Sequence, residues 1–112
     1  MDKLAKYEKA IMSFLEEYAA YFSNDPSGIE TYIVADKERK HYQIVRTGWH
    51  EGRFFHYMLF HILLKNGKVW LQQNNTEDLI GDDLIAHGIP KSDIVLGFQP
   101  EEVRPLTGFA AN

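Results

Sequence analysis

The first 22 residues repeat apolar side chains at spacings of three and four, which is the period of one face of an α-helix. Charged residues occupy the other faces of the same stretch. The pattern predicts an amphipathic helix from Lys3 to Phe22, and the turn-forming run 23–28, which includes Pro26, ends it. The apolar stripe consists of Leu4, Tyr7, Ile11, Phe14, Leu15, Tyr18 and Phe22.

The period then changes to two, which is typical of β-strands. A charged turn, Lys37 to Lys40, separates the first two apolar runs. Glu51-Gly52 and Asn66-Gly67 have glycine in the second position, which is typical of tight two-residue hairpin turns. The sequence therefore predicts a four-stranded antiparallel meander with strands Ile29–Asp36, His41–His50, Arg53–Lys65 and Lys68–Asn74.

A second helix is predicted from about Thr76 to His87, because Gly88 suits the position just after a helix and Pro90 follows soon after. The apolar segment Ile94–Phe98 has the length of an edge strand, and the tail Gln99–Asn112 has no period. The predicted fold is a single α+β domain over residues 1–112. It comprises an N-terminal amphipathic helix, the four-stranded meander, the second helix and an extended C-terminal tail.

The two tight turns fix a register for the strands, provided that the ladders contain no bulge. The more uniformly apolar face is predicted to receive both helices and carries Val45, Thr47, Trp49, Phe54, Met58, Phe60, Ile62, Leu64, Val69 and Leu71. The other, mixed face carries Tyr42, Ile44, Arg46, Phe55, Tyr57, Leu59, His61, Leu63, Trp70 and Gln72. A face this apolar is expected to be covered by the chain's own tail, by a protein partner or by a small molecule.

Composition narrows the classes of function. The chain contains no cysteine, which excludes disulfides, thiolate metal sites and a cysteine nucleophile. The net charge is −4, whereas nucleic-acid binders usually carry a basic excess, but residues 36–70 alone carry +4. Direct DNA binding by that segment therefore stays an alternative. No signal-peptide pattern and no membrane-spanning apolar run is present, so a cytoplasmic protein without membrane contact is expected.

Candidate catalytic and metal-binding groups are sparse. The register places His56 and His61 on opposite faces of the sheet, where they cannot share a metal ion, and we expect no metal and no cofactor. The sequence has no phosphate-binding glycine loop, nucleophile elbow or HExxH motif, so we expect no enzyme activity. His61 has Tyr42 and Gln72 as predicted cross-strand neighbours. This row is either a satisfied hydrogen-bond network or a recognition site.

Three stretches together resemble a known family. Residues 67–77 read GKVWLQQNNTE, residues 88–98 read GIPKSDIVLGF and residues 104–110 read RPLTGFA. With His41-Tyr42-Gln43 and Gly48-Trp49, they make the chain resemble the XisI-like family, the fdxN element excision controlling factor proteins, over nearly its whole length. The resemblance implies an accessory role in programmed excision of a DNA element that interrupts a nitrogen-fixation operon. The implied partners are a companion XisH-type protein and a site-specific recombinase. A homo-oligomer is a further expectation, separate from the resemblance.

We therefore predict a non-enzymatic controlling factor that binds its companion through the mixed face of the sheet or through a sheet edge. Apolar burial around a few aromatic anchors would supply the binding energy. The alternatives are a DNA-binding cofactor of recombination and a small-molecule-sensing module. The predicted contact residues are Tyr42, Tyr57, His61, Trp70 and Gln72.

Overall fold

A computed structural model describes residues 2–112. Two helices and five strands alternate with short turns, and two one-turn 3-10 segments, Lys91–Asp93 and Arg104–Leu106, lie in the last quarter of the chain. In chain order the elements are α1 (Lys3–Ala20), β1 (Glu30–Asp36), β2 (His41–His50), β3 (Arg53–Lys65), β4 (Lys68–Asn74), α2 (Ile80–Ala86) and β5 (Ile94–Leu96). The α+β class is confirmed, and each predicted strand is present with bounds shifted by one residue at most among the first four.

The sheet has five strands in the order β1-β2-β3-β4-β5, so the prediction of four antiparallel strands was wrong in one respect. The first four strands pair antiparallel, whereas β5 pairs parallel to β4, with Val69 opposite Ile94 and Leu71 opposite Leu96. The chain reaches this position by crossing over through α2, which is the connection that parallel neighbours need. The segment predicted as an edge strand thus completes a mixed sheet.

Local hydrogen bonds set where each helix begins. The Asp2 carboxylate accepts from the Ala5 N–H at 2.7 Å and caps α1. In contrast, the Asn74 side chain accepts from the Thr76 N–H, and the Thr76 hydroxyl accepts from the Asp78 N–H. These turns offer the backbone an alternative to helical bonding. Helix α2 therefore begins at Ile80 rather than at the predicted Thr76.

Two β-bulges interrupt the ladders. Ile44 pairs with Phe60 but Val45 pairs with Met58, which leaves β3 with one extra residue. A second shift between β3 and β4 leaves Gln72 as the extra residue. Because each bulge exchanges the faces on one side of it, Tyr42 and Ile44 join the helix-covered face instead of the mixed face to which the sequence assigned them. The no-bulge register was therefore wrong.

The core lies between the two helices and one face of the sheet. Phe14 of α1 stacks on Phe60 of β3, with ring centroids 5.4 Å apart, and Tyr18 meets the same ring edge-on. The fully buried side chains include Ile11, Leu15, Tyr42, Ile44, Phe60, Ile62, Val69, Leu71, Ile80, Leu84, Ile89 and Ile94. Between residues 2 and 112, neither helix is long and apolar enough to span a lipid bilayer.

Candidate interaction surface

The side of the sheet away from the helices, which we call the open face, exposes large apolar side chains. Trp49 and Phe54 are directly opposite each other in the β2–β3 hairpin and are 66% and 53% exposed. Their ring centroids are 5.2 Å apart, and His56 stacks on Phe54. We call these three residues the hairpin patch. Soluble proteins usually keep an aromatic cluster of this kind in contact with a partner.

Strand β1 extends the open face towards one edge of the sheet. Tyr32 is opposite Val45, and Val34 is opposite Gln43, so the four side chains share the open face. Tyr32 and Val34 are each almost half exposed. The apolar surface of the open face therefore runs from the hairpin patch to β1.

Element lengths explain why the hairpin end is exposed on the helix side of the sheet as well. Helix α1 has 18 residues and spans about 27 Å at 1.5 Å per residue. Strand β3 has 13 residues and spans about 43 Å. The helix cannot cover the whole strand, so Tyr57 near the hairpin end is exposed even though it lies opposite the buried Arg46.

Two of the five predicted contact residues do not lie on the open face. Tyr42 is fully buried, and its hydroxyl donates to the Glu8 carboxylate of α1. Tyr57 shares a face with Arg46 on the helix side. Placing both on one face with His61 and Trp70 was wrong, because the extra residue in β3 exchanges the faces of the β3 residues that follow it, while β2 alternates without interruption. The predicted row of Tyr42, His61 and Gln72 is therefore not formed, and this removes the site proposed for a small molecule.

Trp70 lies on the open side but beneath the C-terminal tail, and Gln72, the bulged residue of β4, lies beside Gly97. The Arg104 guanidinium lies over the Trp70 ring at 5.3 Å from its centroid, and the Lys65 ammonium lies at 5.0 Å. The tail is held to the sheet by the Ala110 N–H, which donates to the Ile94 carbonyl at 2.8 Å. The C-terminal tail of the chain itself therefore covers this part of the face, which is one of the three alternatives expected from the sequence.

Replacing Trp70 by alanine is expected to loosen the tail without unfolding the domain. The change removes the cation–π contact with Arg104, a contact worth about 0.5–1 kcal/mol at exposed sites, together with part of the apolar surface under the tail. Amide hydrogen exchange at Ala110 should then speed up by about tenfold, while exchange at Leu71 in the core stays slow. Arg104→Ala should give a smaller effect in the same direction. Unchanged exchange at Ala110 would show that Trp70 does not hold the tail.

His61 forms a pair with His41 on the open face. The Nδ1 atom of His41 and the Nε2 atom of His61 are 2.9 Å apart. Burial, followed by the nearby His41, lowers the pKa of His61. In contrast, hydrogen bonds to the Asp83 carbonyl and the Glu17 carboxylate raise the pKa of His87, on the helix side.

These opposite shifts predict an order of titration. His87 should keep its proton to higher pH than His61, as measured by NMR of the imidazole rings. Stability contributed by His87 is present below its ordinary pKa of about 6.5 and is lost as the pH rises through its folded-state value. For His61 the unfolded chain binds the proton better, so stability falls as the pH drops below about 6.5. Glu17→Gln should move only the His87 titration, and a His61 that titrates above His87 would contradict the assignment.

The helix side holds an acidic, aromatic cleft of about 400 Å³ between α1 and α2. Burial, followed by repulsion from Asp78, raises the pKa of Asp83 there. Within residues 2–112, no three His, Asp or Glu side chains are grouped to hold a metal ion. The cleft is lined by Phe14, Glu17, Tyr18, Tyr21, Phe22, Asp78, Asp83 and His87.

Sequence reasoning missed Trp49, Phe54, Tyr32 and Val34 as surface residues. Trp49 and Phe54 had been placed on the face predicted to receive the helices. Their assignment depended on the register without a bulge, and the one signal in the sequence for their exposure was their position beside the Glu51-Gly52 turn.

Comparison with known proteins matches a family model described as XisI protein to residues 1–111. A crystal structure of a XisI-like protein from Anabaena variabilis ATCC 29413 superposes with a TM-score of 0.86 at 34% identity, covering 96% of this chain and 97% of that one. A crystal structure of the fdxN element excision controlling factor XisI from the same organism superposes with a TM-score of 0.82 at 29% identity, covering 99% and 100%. No curated protein sequence matches the chain.

Proposed function

The chain belongs to the XisI protein family, and from this we propose that it is a controlling factor of DNA-element excision that acts through protein–protein contacts and not by catalysis. Its proposed partners are a companion XisH-type protein and a site-specific recombinase. The neighbour named as an fdxN element excision controlling factor supports the biological setting.

The observation that carries the proposal is the exposed aromatic pair Trp49–Phe54. Tryptophan and tyrosine dominate the residues that supply most of the energy in protein interfaces. Trp49 and Tyr32 are both exposed on the open face, and each presents a ring that loses little conformational entropy on binding. Of the residues predicted from the sequence, His61 belongs to the proposed surface, and contact of Trp70 or Gln72 with the companion stays a prediction.

Co-expression of the chain with the companion XisH-type protein, followed by affinity purification through a tag on the chain, tests the proposal. We expect the two proteins to elute together and to remain together on size exclusion. A companion that is expressed and folded but never co-purifies would overturn it. Sedimentation of the purified chain alone measures whether it also pairs with a second copy.

Direct DNA contact is the second candidate, and one observation favours it. The Leu64 N–H donates to the Lys40 carbonyl at 3.0 Å, so the basic turns at 37–40 and 65–68 lie side by side at one end of the sheet. However, Arg46 is buried in an ion pair with Asp25 and is not available to phosphate. A mobility-shift assay at low and moderate salt tests this candidate, and absence of binding at low salt removes it.

A further inference from the structure

The two edges of the sheet differ in protection. At the β5 edge, the strand has three residues, and the tail forms a bridge from Ala110 to Val95. At the other edge, β1 pairs with β2 over all seven residues without a bulge. Within residues 2–112, no backbone group of residues 31–35 bonds outside the β1–β2 ladder. The outer edge of β1 is therefore a row of free N–H and C=O groups.

The sequence of β1 protects its edge only through the acidic residues at its two ends. Edges are commonly protected by proline, by lysine, by a bulge or by shortness, and residues 30–36, which read ETYIVAD, have none of these. The five inner residues are uncharged and four of them are β-branched or aromatic. An edge of this kind suits the addition of a strand from another chain.

The charges of β1 determine which kind of strand can pair with its free edge. The open face of β1 presents Glu30, Tyr32, Val34 and Asp36 in alternation, which is acidic, aromatic, apolar and acidic. Opposite charges placed directly across a ladder stabilise it and like charges destabilise it. Two copies paired antiparallel about Ile33 would put Glu30 of each copy opposite Asp36 of the other. The edge therefore disfavours a second copy and favours a strand with a basic residue at each end of an uncharged core.

We infer that β1 is a docking edge to which the companion protein adds a strand of this basic–apolar–apolar–basic pattern, with the four side chains on the open face. The inference rests on the proposed function for the identity of the partner. The added strand extends the sheet beside Tyr32, so the companion can reach the open face in the same encounter. Backbone bonds supply affinity, and the charged ends supply specificity.

A peptide experiment tests the edge without the companion. The probe is an acetylated peptide with lysine at both ends of an alternating valine–threonine core, and the control has glutamate in place of lysine. At low salt we expect the lysine peptide to bind at least ~10-fold more tightly, and the difference to shrink as salt is raised. Bound peptide should slow amide exchange at residues 31–35 and leave β5 unchanged.

Charge reversal within β1 sharpens the test. Asp36 is bonded to Arg39 and to the turn backbone. The reversal is therefore placed at Glu30, whose carboxylate, among residues 2–112, is bonded only by the Tyr32 hydroxyl. Glu30→Lys should lower the preference for the lysine peptide to about threefold or less, whereas the matched reversal Glu16→Lys on the exposed face of α1 should leave it unchanged. Equal binding of both peptides, no protection of residues 31–35, or dimerisation of the chain through β1 would overturn the inference.

The same exchange measurement on the co-purified complex separates this inference from the proposed function. A companion that protects the hairpin patch but not residues 31–35 overturns the docking edge and leaves the proposed function intact. A companion that does not bind at all overturns the proposed function, while the peptide result still decides whether β1 accepts a basic-ended strand.

Discussion

Replacing Trp49 and Phe54 together by alanine is expected to weaken binding of the companion XisH-type protein about a hundredfold while the domain stays folded. The two rings touch, and both are more than half exposed, so they are available as one central anchor of an interface. Loss of a tryptophan-centred anchor commonly costs about 3 kcal/mol of binding free energy, which corresponds to about a hundredfold in Kd. Titration calorimetry with the purified companion measures the change.

The fold should survive this double change, because exposed cross-strand aromatic pairs contribute only about 0.5–1 kcal/mol to stability. Thermal unfolding followed by circular dichroism checks this point. The matched controls are Tyr21→Ala and Leu79→Ala, whose side chains are 78% and 71% exposed but lie at the end of α1 and the start of α2. Both controls should bind as the unchanged chain does. If the double variant also binds with unchanged affinity, the hairpin patch is not the contact surface.

The helix and the hairpins could be predicted because their signals are local. Tyr7, Ile11 and Phe14 recur with the helical period and are all buried in α1. Asn66 and Gly67 both adopt positive φ, which is the conformation that their pairing predicts in a two-residue turn. These signals depend on a few neighbouring residues, so the rest of the chain could not overrule them.

The faces of the sheet could not be predicted in the same way. The sequence of β3 does not alternate between apolar and polar residues clearly enough to fix the register of the strand. Between Met58 and Leu64 every residue except His61 is apolar, so a ladder slipped by one residue still buries apolar side chains. The bulge at Leu59 is absorbed there, and both Leu59 and Phe60 are buried. This single extra residue moved Tyr42 into the core and left Trp49 on the open face.

Arg46 shows that the exposure of a charged residue could not be predicted from the sequence either. Arg46 contributes one positive charge to the basic segment 36–70, but its side chain is only 9% exposed and forms an ion pair with Asp25. Its Nε donates to the Thr31 hydroxyl at 3.0 Å, a second nitrogen donates to the Ile29 carbonyl, and the guanidinium lies 4.2 Å from the centroid of the Phe22 ring. One side chain therefore fastens the turn after α1 to β1 and β2.

Arg46→Ala is expected to lower the free energy of unfolding by about 1–3 kcal/mol, because it leaves the Thr31 hydroxyl and the Ile29 carbonyl without their donor. The free energy of unfolding of a small protein is typically about 5–15 kcal/mol. Arg46→Ala is the single substitution from which we expect the largest loss of stability. Urea unfolding at neutral pH measures it. Arg46→Lys keeps the charge but cannot reproduce the forked donor geometry, so it should recover only part of the loss.

Acid unfolding separates loss of the ion pair from simple loss of volume. Hydrogen bonding from the Ser27 N–H, followed by the Arg46 guanidinium, lowers the pKa of Asp25 to about 2. Stability contributed by this carboxylate is therefore present above its ordinary pKa of about 4 and is lost as the pH falls from about 4 to about 2. Without Arg46 the pKa of Asp25 should rise, so the acid-sensitive range should narrow and move upward. If Arg46→Ala lowers stability equally at every pH between 2 and 7, Arg46 acts through packing against Phe22 and not through its charge.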